Sequence, residues 1–220
     1  MAGLEYPFPE EETRFSIRIY RCPEGWDAIL VSACMDGNIM AESLKLAYFV
    51  ALKEGASYLG GLLLTDTSGI PIDFRYTEPI TPTRLQSVLY GKALEPHLKE
   101  EVIQKTLLKE LKATPDLFIL PPADMAGGWN GDPRCPALAL QKSQEPSLSR
   151  AGETFRVSPR EVLLQGGEGA PPLRVIFAQT VDPAAQEAVL QKLQEAAYHM
   201  DPLEPLERVY AALQTLVRPE

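Results

Sequence analysis

Apolar and polar residues alternate near the start of the chain. Phe15, Ile17 and Ile19 alternate with Arg14, Ser16, Arg18 and Tyr20, the period of a half-buried strand with a basic outer face. Pro23-Glu24-Gly25 makes a turn, and Asp27–Cys34 reads as a second, more buried strand before the turn Asp36-Gly37-Asn38. Two periods compete from 41 to 53. Leu44, Ala47, Tyr48 and Ala51 fit a helical stripe, whereas Leu46, Tyr48, Val50 and Leu52 fit a strand. The strand reading, from about Leu44, is preferred. Lys53-Glu54-Gly55-Ala56 then turns the chain into Ser57–Thr65, and Ile70–Thr77 completes a meander of about five antiparallel strands in the first 77 residues.

The stretch from Gly60 to Arg84 organises what surrounds it. It predicts two strands joined by a tight turn, with Gly69 at a position that needs positive φ and Asp66 accepting hydrogen bonds from the turn's N–H groups. A polar exit leads into a helix starting at Thr81-Pro82, with Thr81 as N-cap and Pro82 at the first helical position. Leu85, Val88 and Leu89 give this helix a short apolar face, and Gly91 is suited to cap its end. A second helix begins near Glu95-Pro96, with Leu98, Val102, Ile103, Leu107, Leu108 and Leu111 as its inner stripe. Thr114-Pro115 ends it, and Asp116–Leu120 is a short buried strand stopped by Pro121-Pro122. Strand, helices and strand in that order suit a right-handed crossover onto one sheet.

The second half is looser. Residues 121–136 and 146–152 read as long loops around candidate strands Ala137–Leu140, Glu161–Leu164 and Leu173–Ala178. Two helices close the chain. One opens at Asp182-Pro183 with the stripe Ala185, Val189, Leu193 and Ala197. The other opens at Asp201-Pro202-Leu203-Glu204, with Leu206, Val209 or Tyr210, Leu213, and Leu216 or Val217 inward. The fold class is therefore α+β: a largely antiparallel sheet built from β-hairpins with packed helices. Residues 1–12 are a tail, and two lobes, 13–114 and 115–220, meet near Pro115 or form one continuous domain.

Composition narrows the function without naming it. The chain has 220 residues, 45% of them hydrophobic and 23% charged, as in ordinary globular proteins. Its formal charge of −9 argues against a nucleic-acid partner, because phosphates are repelled. The densest basic run, Lys105, Lys109 and Lys112, complements a helix C-terminus. Three widely spaced cysteines, Cys22, Cys34 and Cys135, predict neither a disulfide framework nor a metal site, and a reducing, cytoplasmic setting follows. The acidic, proline-rich N-terminus has no signal-peptide pattern, no apolar run approaches a membrane span, and a soluble protein with no membrane partner is expected.

Catalytic motifs are missing. There is no nucleophile elbow, P-loop, zinc-protease or EF-hand pattern, and the two histidines, His97 and His199, stand alone on predicted helices. The glycine-rich runs at 127–132 and 166–169 lack the strand-to-helix setting of a dinucleotide site. No cofactor and no metal are expected. The densest set of ligand-orienting side chains is the hairpin exit: Asp73, Arg75, Glu78, Thr81, Thr83 and Arg84, with Asp66, Gln86 and Tyr90 nearby. Helix N-termini favour anions. The competing account is ion pairing of Glu78 with Arg75 or Arg84 plus a helix cap. The poor catalytic inventory favours a non-enzymatic interaction or regulatory protein, whose partner is another protein or itself. The alternative is an enzyme or binder of a small anionic molecule at residues 73–90.

Overall fold

The computed structural model describes residues 14–21 and 27–34 by their backbone, and 44–125, 135–167, 169–178 and 182–217 in full. Ten strands form one mixed sheet. They are β1 (Arg14–Arg21), β2 (Asp27–Cys34), β3 (Leu46–Glu54), β4 (Ser57–Thr65), β5 (Pro71–Thr77), β6 (Leu117–Leu120), β7 (Ala137–Lys142), β8 (Thr154–Ser158), β9 (Glu161–Leu164) and β10 (Leu173–Phe177). Their order is β1-β2-β5-β4-β3-β6-β7-β10-β9-β8. Neighbours are antiparallel except at the centre, where β3 pairs with β6 and β6 with β7 in parallel. The sheet runs unbroken across residue 115. The α+β class with hairpin-built antiparallel pairing is what the structure shows.

Helices cover both faces. The first covering layer is one winding run: α1 (Arg84–Tyr90), a 3-10 turn at Gly91–Ala93, α2 (Leu94–Pro96), a π-helical stretch π1 (His97–Gln104) and α3 (Lys105–Lys109). After β6 comes α4 (Pro122–Met125), and α5 (Pro183–His199) and α6 (Glu204–Val217) close the chain. Alternation along β3 and β4 sorts side chains between the two layers. Tyr48, Val50, Leu59 and Leu63 join α5 and α6 in one core, while Phe49, Ala51, Leu62 and Leu64 join π1 and α3 in the other. With both faces buried, β3 has no polar face. For that reason residues 41–53 matched a helical stripe as well as a strand.

Gly60 and Gly61 set the thickness of these layers. A Cβ on Gly60 would lie 2.1 Å from Ile103 Cγ2, and one on Gly61 would lie 3.0 Å from Val209 Cγ1 on the opposite face. The absence of side chains lets π1 and α6 press directly on β4.

Several expectations are corrected. The first helix is capped by Thr83, not Thr81: Thr83 and Gln86 form a reciprocal capping box. Thr81 precedes Pro82, which disfavours helical geometry there, and its hydroxyl meets Ser57 Oγ at 2.7 Å. Leu85, Val88 and Leu89 are 67–72% exposed, so the short apolar face of α1 is not turned to the core. β8 was not anticipated because its side chains are almost all exposed at the sheet edge. In α5 the inner stripe is Gln186, Val189, Leu190, Leu193, Ala196 and Ala197, with Ala185 outside. The expected N-terminal tail and the glycine-rich run 127–132 lie outside the described residues. No helix among those described is long and apolar enough to cross a membrane.

Candidate functional site

The hairpin-exit residues do not converge. Asp73 and Arg75 are two apart on β5 and point into the core, where Arg75 Nε donates to both Asp73 oxygens at 3.0 and 2.9 Å. Arg75 Nη2 has no hydrogen-bond partner. Thr77, on the same side, accepts from Gly60 N–H at 3.0 Å. Glu78, Thr81, Thr83 and Arg84 lie at the surface, with Thr81 and Thr83 occupied as described. Asp66 serves the turn, its Oδ1 accepting from Ser68 and Ile70 N–H at 2.9 Å each. Strand parity thus splits the six candidates between the core and the surface. His97, alone in the sequence, stacks on Tyr90 with ring centres 4.8 Å apart.

A different place gathers polar groups around empty space. β3, β6 and β7 run parallel, so their carboxyl ends lie side by side, the position where sheets of this type open a crevice. A cleft of about 580 Å³ opens there, walled by Val50 and Leu52 of β3, Leu140 of β7, Pro121 and Pro122 after β6, and Leu203, Leu206 and Tyr210 near or on α6. Its lining is largely apolar. Asp124 of α4 and Lys99 of π1 form its polar wall, and Lys142 and Glu207 pair across 2.8 Å on its exposed rim.

Asp124 is held on both oxygens. Oδ2 accepts the Ala51 N–H at 2.9 Å, and Oδ1 is 3.4 Å from Lys99 Nζ. Its side chain is only 4% exposed. Burial raises its pKa, opposed by the Ala51 hydrogen bond and by Lys99. Lys99 also lies 3.4 Å from Glu95 Oε1, and Glu95 Oε2 meets Lys53 at 3.2 Å. The Lys53 hydrogen bond holds the Glu95 carboxyl below its usual range, with Lys99 adding to it.

Behind this wall, between β3 and π1, lies a second cavity of about 200 Å³ that shares Lys99, Ala123 and Asp124 with the cleft. Gln104 lines it, and its Nε2 has no hydrogen-bond partner although the residue is 3% exposed. Glu100 also lines it, its carboxyl pushed up by burial and by Glu101. Gln104 ends π1, where Lys105 N–H reaches back to Glu100 O in the i→i+5 pattern. Single π-helical turns recur at functional sites. Among the described residues no group of three or more His, Cys, Asp or Glu could hold a metal ion.

Sequence reasoning missed Asp124, Lys99 and Gln104. Asp124 follows a short buried strand and two prolines, a signal for the carboxyl end of a strand. Gln104 interrupts an apolar stripe beside Ile103.

No protein-family model matches the sequence, and no curated protein matches it. Solved structures resemble its fold. Endonuclease V from Streptomyces avermitilis is 11% identical with a TM-score of 0.48, covering 80% of this chain and 82% of its own. Endonuclease V from Bacillus subtilis is 12% identical with a TM-score of 0.49, covering 80% of each chain. Human ENDOV is 13% identical with a TM-score of 0.49, covering 80% of this chain and 85% of its own. These neighbours are by name nucleic-acid-processing enzymes. They correct the reading of a non-enzymatic interaction or regulatory protein, its partner as another protein or itself, and the exclusion of nucleic acid. The exclusion rested on the summed charge and on basic runs along the sequence, neither of which reports the local field at a folded site. At these scores the likeness concerns the fold, and no activity or substrate passes with it.

Proposed function

We propose that the chain binds a small, largely apolar molecule in the cleft at the carboxyl ends of β3, β6 and β7, with Asp124 as its proton-exchanging group. One observation carries this reading. A carboxyl only 4% exposed, fixed by the Ala51 N–H and by Lys99, forms the polar wall of an otherwise apolar cleft of about 580 Å³. Ligand sites have this character, apolar walls with a few placed polar groups. Burying a carboxylate is costly for the fold, and its raised pKa suits general acid or base chemistry. The hairpin exit serves the fold in this account, and a reducing compartment such as the cytoplasm is the proposed setting.

The test is a thermal-shift screen of small apolar molecules against wild type and Ala211→Trp. Ala211 is an exposed α6 residue on the cleft wall, so the indole fills the space without entering the core. Stabilisation of wild type that disappears in Ala211→Trp is expected. Stabilisation by no small molecule, or by single- or double-stranded DNA alone in the same screen, would replace this reading.

A further inference from the structure

Resting on that reading, we infer that the ligand is uncharged, with an apolar body in the cleft and a hydrogen-bond-accepting head that passes the Lys99–Asp124 wall to reach Gln104 Nε2. Lys99, Ala123 and Asp124 line both cavities. The cleft offers Leu52, Leu140 and Leu206 to a body, and the smaller cavity offers polar groups to a head. Gln104 Nε2 is a donor without a protein partner, and a buried donor left unpaired is costly. The head must therefore present an acceptor.

Charge selects among acceptors. Glu95, Glu100 and Asp124 line the smaller cavity with Lys99 as the cation in its lining. Lys99 is shared between Glu95 and Asp124 at 3.4 Å each, and Lys53, outside the lining, meets Glu95 at 3.2 Å, so carboxylates still outnumber cations. A carboxylate head would face surplus negative charge. An ammonium head would find carboxylates but could accept nothing from Gln104, since it has donors only. A carboxamide or ketone satisfies Gln104 without opposing the field. A carboxamide can also donate to a carboxylate.

Four probes sharing one body separate these cases: cyclohexanecarboxamide, cyclohexanecarboxylate, cyclohexylmethylammonium and methylcyclohexane. Each is titrated by ligand-observed NMR into the full chain as wild type, Gln104→Met and Ala211→Trp. The carboxamide should bind wild type about tenfold more tightly than the other three, the worth of one well-made buried hydrogen bond. Gln104→Met should bring it to the level of methylcyclohexane, and Ala211→Trp should abolish binding of all four. An unchanged carboxamide affinity in Gln104→Met, or a charged head that binds as well, overturns this inference while leaving the cleft reading intact. Failure of every probe to bind wild type overturns both. Should Gln104→Met not fold, the Gln104 side-chain NH₂ resonances of wild type decide: they must shift on carboxamide addition and stay still with methylcyclohexane.

Discussion

Replacing Gly60 by alanine tests how the π1 layer is held against the sheet. The new Cβ would sit 2.1 Å from Ile103 Cγ2, against a comfortable carbon–carbon separation of about 3.5 Å, a shortfall of about 1.4 Å. Ile103 is fully buried and Leu107 Cδ1 closes the site at 3.3 Å, so π1 itself has to move. Overpacking of this severity costs about 2–3 kcal/mol. Alanine regains about 0.5–1 kcal/mol by restricting the unfolded chain. The net loss is about 1–2.5 kcal/mol, or about 2–10 °C in Tm at this chain length.

Circular dichroism melts and urea titrations read this directly, with an unchanged m-value showing that the same surface unfolds. Gly61→Ala is the internal control. Its Cβ meets Val209 at 3.0 Å and Leu213 at 3.2 Å, a mismatch that small side-chain shifts absorb, leaving stability within about 0.5 kcal/mol of wild type. Ile103→Leu moves the branch away from Cβ at similar volume. The double variant Gly60→Ala/Ile103→Leu should recover about 1 kcal/mol relative to additivity. An unchanged or raised Tm for Gly60→Ala, or strict additivity with Ile103→Leu, would refute the close approach of π1 to β4.

Arg75→Ala should lower stability by about 3–5 kcal/mol in urea titration, because it strands a carboxylate that is 4% exposed. Asp73→Leu/Arg75→Met should regain most of that loss, and a milder effect for Arg75→Ala alone would mean the pair is solvated. Gly69→Val should lower Tm: Gly69 has φ +78°, and a Cβ there would meet Met200 Sδ at 2.7 Å; an equal Tm would place the turn elsewhere. The raised pKa of Asp124 means that the folded protein holds this proton more tightly than the unfolded chain does. Its stabilising contribution is therefore complete below the usual aspartate value of 3.8 and is lost as pH rises through the native value. Urea titrations from pH 4 to 8 should show wild type gaining on Asp124→Asn as pH falls; parallel profiles would refute the burial of that charge.

Much of the architecture was legible because each local signal agreed with its neighbours. Period two marked β1 and β5, Asp66 and Gly69 marked the turn between β4 and β5, and Asp182-Pro183 marked the start of α5, whereas α6 begins at Glu204, past the Asp201-Pro202 pair read as its opening. Legibility failed where a local pattern had two physical meanings. The Thr81-Pro82 pair resembles a helix start, yet Thr83-x-x-Gln86 supplies the capping box two residues later. Apolar residues at Leu85, Val88 and Leu89 have helical spacing, but spacing alone does not supply a core for them to face.

The site was hidden for a related reason. Asp73, Arg75 and Thr77 alternate with Ile72, Phe74 and Tyr76, and alternation says which residues share a face without saying which face is inside. Here the polar side is the buried one, since Asp73, Arg75 and Thr77 are at most 5% exposed. Asp73 and Arg75, which look like ligand anchors, therefore pair with each other, and Thr77 accepts from the Gly60 N–H. Lys99 and Gln104 both lie on π1, and Asp124 of α4 is brought to them only by the parallel pairing of β3 with β6 and the descent of π1 onto Gly60. Those contacts are long-range, so no window of sequence contains them. What the sequence does hold is each local anomaly: a glutamine inside an apolar stripe, an aspartate just past a buried strand, two adjacent glycines in mid-strand. Read separately, each has an ordinary structural explanation. Placed together they put a buried carboxyl on the wall of an apolar cleft and a buried donor without a partner on a residue lining the cavity behind it.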